Sequence, residues 1–286
     1  MTIKNIFVPT LGPKSSGAAL ETSVLLARQF GAHADVLFIN EYLHHVLPVV
    51  EEGLAPSVAK EIEAIFRRER ENMEKLSRQK FDSLLERHRI DLREISLPMD
   101  QPSAWWKVAD GSARTEIVRR GAAYDLIVVG RPANDVPSNP LVEAALFGTG
   151  RPVLVAPPKP PETLGERVMI GWNKGVQSAR AVQCAMPFLR VADRVVIFMA
   201  VTGAKEGPSP HDIARLLKWH AIDSEVNGVQ PDHRSVGEIL LSEADAWGAD
   251  LLVMGAFSHS KLREMILGGV TKHVLSHAEV PVLMVH

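Results

Sequence analysis

Residues 251 to 275 read LLVMGAFSHSKLREMILGGVTKHVL, and their types and spacing suit the binding of an anion. Four apolar residues end at Gly255, two residues separate it from Ser258, and nine more lead to Gly268 and Gly269. Val270 and Thr271 then open a helical pattern. A glycine leaving a strand lets backbone approach a ligand closely. The N–H groups at a helix start point outward and carry the positive end of the helix dipole. Thr271 would add a hydroxyl donor in the first turn. The same residues also fit a simpler reading, in which Gly268 and Gly269 only shape a tight turn into the last helix. Neither G-x-x-x-x-G-K-[S/T] nor G-x-G-x-x-G occurs in the chain, so the common nucleotide-loop patterns do not apply.

Other reactive residues organise into little. His273 and His277 are four apart and share a helix face, as zinc ligands can, but HVLSH lacks the glutamate of H-E-x-x-H and no cysteine stands near. No metal site is assigned. His44, His45, His211 and His220 have no partner at ligand spacing, and His259 beside Ser258 reads equally as a solvated loop residue. There is no G-x-S-x-G elbow and no Cys–His motif, so no catalytic residue is assigned. Cys184, the only cysteine, lies in an apolar helical run and reads as a core thiol. It excludes an internal disulfide framework. A formal charge of −2 gives no attraction to nucleic acid or an anionic membrane. No run approaches the roughly 20 apolar residues of a membrane helix, and MTIKNIFVPT is not a signal peptide. The expectation is a soluble, cytoplasmic protein.

The elements that would position this loop occur twice. KNIFVP (4–9) matches ERVMIG (166–171), and ADVLFIN (34–40) matches DRVVIFM (193–199). AAYDLIVVG (122–130) aligns without a gap to WGADLLVMG (247–255), and RPVLVAP (151–157) answers VPVLMVH (280–286). Runs so uniformly apolar are buried on both faces, as in a parallel sheet covered by helices. Helical patterns fill the gaps, which argues for right-handed βαβ crossovers. DLREISLP (91–98) and AIDSEVNGV (221–229) are weaker candidates for a fifth strand in each half. The α/β fold expected is therefore two tandem doubly wound domains, each with a mostly parallel five-stranded sheet flanked by helices. The domains are 1–156 and 167–286, joined by the proline-rich linker 157–166.

Residues 57–88 form a long helical insert with Ile62, Ile65, Phe66, Met73 and Leu76 on one stripe. Its RRERE run mixes signs and reads as a solvated face. ADGSAR (109–114) reads as a helix N-cap through Asp110 or Ser112. Trp105 and Trp106 before it read as buried core or a domain-interface anchor.

The repeated halves, with MGAFSHSKLREMILGGVT ahead of PVLMV, resemble a tandem universal stress protein. The likeness spans essentially the whole chain, and its specific motif lies in the second half. The ATP-binding branch of that family carries G-x2-G-x9-G-[S/T] followed by a Val-[S/T] pair. Gly255, Gly268, Val270 and Thr271 match; Ser258 replaces the second glycine and Gly269 the small hydroxyl residue. An aspartate after the first strand is replaced by Asn173, which keeps an acceptor and loses the charge. Trp172 beside it would stack a base or pack at the sheet edge.

The resemblance implies an adenine-nucleotide alpha-hydrolase-like fold and a stress-response protein. ATP or another adenine nucleotide, with Mg²⁺, would bind the second domain through Asn173, Met254, Gly255, Ser258, Gly268, Gly269, Val270 and Thr271. It implies at most slow ATP hydrolysis, and an intrachain pseudo-dimer paired through the last strands, with a further homodimer left open. The rival reading is a nucleotide-free protein acting through protein contacts, and a third places a small ligand or metal in the same cleft. The first domain departs further from the motif. The four residues missing between Gly130 and Arg151, and Leu11 near the aspartate position, describe a degenerate partner.

Overall fold

A computed structural model describes residues 2–41, 56–94, 101–131, 140–200, 206–230, 233–256 and 269–286. The chain divides into two compact units, one holding strands β1 to β5 and the other β6 to β11.

In the first unit the strands are β1 (Asn5–Thr10), β2 (His33–Asn40), β3 (Asp91–Leu92), β4 (Ser103–Asp110) and β5 (Leu126–Gly130). They lie in the order β3-β4-β2-β1-β5, all parallel. Four helices serve this unit: α1 (Pro13–Phe30), α2 (Pro56–His88), α3 (Ala113–Gly121) and α4 (Pro140–Gly148). α1 packs against α2 and along β5, while α3 packs against α4.

The second unit holds β6 (Val153–Ala156), β7 (Arg167–Gly171), β8 (Arg194–Ala200), β9 (Glu225–Val229), β10 (Leu251–Gly255) and β11 (Val282–Val285). Their order is β6-β11-β10-β7-β8-β9. β7 to β11 are parallel, and β6 runs antiparallel to β11. Its helices are α5 (Val176–Leu189), α6 (Pro210–Trp219), α7 (Val236–Trp247) and α8 (Gly269–His277). β9-β8-β7-β10 repeats the order β4-β2-β1-β5, as the paired apolar runs require. In each unit the order reverses beside the first strand, and ligands of open α/β sheets bind beyond the strand ends at such a switch.

An aspartate at the same place in each repeat fixes the foot of the first strand. Asp125 Oδ2 accepts from the N–H groups of Lys4 (2.9 Å) and Asn5 (3.1 Å). Asp250 accepts from Gly165, Glu166 and Arg167 N–H at 3.0, 3.1 and 2.9 Å and from the Thr163 hydroxyl at 2.7 Å. The end of the proline-rich linker is therefore held by specific bonds.

The structure corrects two expectations. Where DLREISLP suggested a strand, Asp91–Leu92 pairs among the described residues 91–94, its remainder lies outside them, and the full strand beside β2 is SAWWKVAD at 103–110. Its inner residues Ala104 and Trp106 are buried, with Trp106 packed on Phe38 and Phe81 at 6.1 and 5.4 Å between ring centroids. Its outer end is exposed, so it lacks the uniform apolar signature of its neighbours. Ser112 occupies the N-cap of α3 without a side-chain cap bond. Glu41 instead accepts from Ala113 N–H at 3.0 Å, while Asp110 accepts from the Asn40 amide at 2.8 Å. On the long helix, Ser77, Phe81, Leu84 and Leu85 are buried, whereas Ile65, Met73 and Leu76 of the stripe are exposed.

Candidate functional site

In the second unit β7 and β10 lie side by side, with Gly171 opposite Met254 at their carboxyl ends. The chain leaving β7 makes a tight turn. Asn173 Oδ1 accepts from Gly175 N–H at 2.9 Å, Lys174 has φ +62°, and α5 begins at Val176. Asn173 itself is exposed. It thus folds back on its own backbone, as asparagine commonly does in turns. Trp172 has 3% exposure and its indole donates to Pro208 O at 2.9 Å. Of the two sequence readings for Trp172, packing at the strand end is the one adopted.

Gly255 ends β10, opposite Val285. A Cβ there would stand 2.5 Å from Ser178 N, 2.6 Å from Gln177 C and 2.8 Å from Gln177 Cβ. The close approach that this glycine permits is that of the first turn of α5. Met254 is buried, and Ala256 N–H donates to Val285 O at 2.8 Å. Gly269 starts α8, is exposed, and has nothing among the described residues within 4 Å of an added Cβ. Val270 is half-buried and Thr271 has 4% exposure. Ser258 and Gly268, like His259, lie outside the described residues. Asn173, Met254 and Gly255 are therefore brought to one strand end, while Gly269 to Thr271 open a helix that packs on α7.

That α8–α7 packing places the His273 ring against Gly237. His273 and His277 share a face, their rings stacked at 4.2 Å with His277 Nδ1 2.9 Å from His273 O. Burial, followed by the charge of His277, holds His273 below the usual histidine range. Among the described residues no three metal-ligating side chains come together.

The equivalent strand end of the first unit is covered by its own long helix. Arg70 Nη1 donates to Leu11 O at 3.2 Å, and a Cβ on Gly12 would lie 3.5 Å from Met73 Sδ. Arg151, which could have attracted an anion, donates through Nε (2.9 Å) and Nη2 (2.6 Å) to Ala122 O.

One polar cluster escaped the sequence reading. At the amino ends of β2 and β4, His33 Nδ1 lies 2.9 Å from Ser103 Oγ and His33 Nε2 3.5 Å from Asp35 Oδ1. Asp35 Oδ2 also accepts from Lys107 Nζ (3.1 Å) and the Tyr124 hydroxyl (2.8 Å). Burial works to raise the Asp35 pKa, but bonds from His33, Tyr124 and Lys107 prevail and hold it below the usual carboxylate range. Burial, then the neighbouring Asp35 charge, pushes Tyr124 up. The residue types are those of a hydrolytic triad. Ser103 has 3% exposure, however, and sits at the end of the sheet away from the ligand crevice, so the cluster braces β2, β4 and the approach to β5. The signal available in the sequence was the period of two in HAD and SAWWK, which sets His33 with Asp35 and Ser103 with Lys107 on common faces.

The fold and strand-end site define a protein of two repeated doubly wound α/β units. Residues 174–286 match the sequence model of the Universal stress protein family. No curated protein matches the sequence. Among solved structures, a universal stress protein from Archaeoglobus fulgidus is similar over 98% of this chain and 97% of its own, with 16% identity and TM-score 0.69. A functionally unknown protein from Pseudomonas aeruginosa covers 99% and 92%, with 14% identity and TM-score 0.53. The cytoplasmic domain of a prokaryotic cation chloride cotransporter covers 99% and 95%, with 10% identity and TM-score 0.51. At these identities the likeness establishes the two-unit fold alone, which proteins of differing roles share. No helix among the described residues is long and apolar enough to cross a membrane.

Proposed function

We propose that the second unit binds an adenine nucleotide, ATP with Mg²⁺ being the first candidate, and that the protein acts by binding in a stress response rather than by efficient catalysis. The nucleotide would lie over the ends of β7 and β10, its phosphates along the 255–271 loop. The observation carrying this reading is the contrast between the two strand ends. In the second unit Asn173 and Gly269 are exposed and no described residue lies within 4 Å of a Cβ added at Gly269, whereas α2 lies across the matching turn of the first. The first unit is then a nucleotide-free partner. On this reading the two repeats would make up an intrachain pseudo-dimer.

The test is calorimetry of ATP binding to the metal-stripped protein with Mg²⁺ added. The expected result is one site per chain, abolished by Gly268→Asp, which sets a carboxylate where phosphate would lie. Affinity unchanged by that substitution overturns the proposal. Gly269→Ser supplies the hydroxyl that the motif has lost, at a position with room for it. It should tighten ATP binding about three- to tenfold, the worth of one net hydrogen bond, readable in the same titration.

A second reading, a nucleotide-free interaction protein of the same fold, is favoured by one observation. Asn173 already commits its acceptor to Gly175 N–H, and the Trp172 indole is taken up by Pro208 O. A folded protein giving no heat at millimolar ATP would establish it.

A further inference from the structure

The last helix carries a pair of side chains that nucleotide binding does not use. His273 and His277 stand one turn apart on α8, their rings stacked at 4.2 Å between centroids with 19° between planes. Two contacts fix that arrangement. The His273 ring lies along Gly237 of α7, where an added Cβ would stand 2.9 Å from His273 Cβ and 3.1 Å from its Cγ and Cδ2. His277 Nδ1 lies 2.9 Å from His273 O. A carbonyl oxygen only accepts, so Nδ1 is the protonated nitrogen of His277, and in the neutral ring Nε2 carries the lone pair. A backbone acceptor on the second ring nitrogen is the usual support of a histidine that ligates a metal. His277 is exposed and His273 half-buried. Glu238, in the first turn of α7, is near enough for its charge to act on His273. Its Oε2 accepts from Ser235 N–H at 2.7 Å, so it stands by as a counter-charge.

We propose that His273 and His277 together bind one divalent late transition-metal ion, of the class of Cu²⁺, Ni²⁺ and Zn²⁺, through one ring nitrogen of each. Imidazole suits these ions, whereas Mg²⁺ and Ca²⁺ take oxygen ligands. The site is therefore distinct from any Mg²⁺ that accompanies ATP. Two nitrogens on a tetrahedral ion, with bonds of about 2.0–2.1 Å, stand about 3.3 Å apart. Rings already face to face at 4.2 Å come to that separation by a small tilt. Among the described residues no third ligand joins them, so water completes the coordination. With two nitrogen ligands and no protein cage to impose a geometry, affinity follows the intrinsic order of the ions, Cu²⁺ tightest. An ion bridging positions four apart also staples the last turn of α8, and binding only the folded helix it adds to stability.

The experiment titrates Cu²⁺ and Zn²⁺ into the metal-stripped full chain at neutral pH by calorimetry, with circular dichroism confirming that each variant folds. The expected result is one ion per chain in the tightest class, Cu²⁺ ahead of Zn²⁺. His273→Gln and His277→Gln should each weaken that site about tenfold or more, at least the cost of losing a supporting bond at a metal site. The double variant should lose little beyond either single one, since one imidazole cannot chelate. Copper electron paramagnetic resonance should show two nitrogen ligands in the wild type, and Zn²⁺ should raise its melting temperature but not that of the double variant. A tight site that survives in the double variant is an adventitious ion only and overturns the proposal. Single losses that add, the mark of two independent histidines, overturn it as well, and so does the absence of a saturable site. A His277→Gln chain that melts lower yet binds metal unchanged would show a helix cap alone, and that also overturns it.

Discussion

Gly255→Ala should destabilise the second unit by about 1–3 kcal/mol, the usual cost of forcing extra volume into a packed site. The added methyl would meet backbone, Ser178 N at 2.5 Å and Gln177 C at 2.6 Å, rather than the yielding end of a long side chain. Relief requires α5 to slide along β10 and β11, against which it packs. Ser178 is itself buried, its hydroxyl donating to Gly175 O at 2.8 Å, so the movement would also disturb the Asn173 turn. Thermal melting checks the stability, and the ATP titration should show weakened binding beside it. Gly269→Ser is the control, since an added Cβ there meets nothing within 4 Å and no fall in melting temperature is expected.

Asp35→Asn should cost the first unit about 1–3 kcal/mol, the range for leaving buried polar groups imperfectly paired. The amide keeps the shape and can still accept from Tyr124, but Lys107 loses its counter-charge and His33 its carboxylate neighbour. The pH dependence carries the sign of the shift. Because the folded carboxyl sits below its ordinary range, the wild type binds fewer protons at Asp35 folded than unfolded at mildly acid pH. Its contribution is complete at neutral pH and lost as pH falls through the folded value. Tyr124, raised in the folded state, contributes below its unfolded pKa and loses that contribution as pH rises into the alkaline range. Denaturant melts at pH 7, 5 and 3 should therefore converge between wild type and Asp35→Asn toward acid. A difference that stays constant with pH would refute the assignment.

The repeat is legible because both halves spell their buried strands in unbroken apolar runs, and WGADLLVMG aligns with AAYDLIVVG without a gap. β4 is not, because a strand with one exposed end mixes Trp, Lys and Asp and loses that signature. The stripe on α2 is visible as a pattern but not as a direction: periodicity shows which residues share a face, while only packing shows which face turns inward. At the site, the sequence marks Gly255 as a glycine that permits close approach without saying what approaches, and in the structure it is the first turn of α5. The covering of Leu11 and Gly12 by α2 joins residues about sixty positions apart, a contact no local pattern encodes.

The paired aspartates have a consequence for how the chain assembles. Asp125 closes on residues 120 positions earlier, and Asp250 on residues more than 80 positions earlier. Contacts this distant in sequence slow folding, since loop-closure entropy is lost before they form. During synthesis the first strand of each repeat can pair early with the second on one edge, while its foot lacks the aspartate's bonds until that later segment has emerged. Each repeat thus closes late and as a whole, and the first can do so before the second is complete.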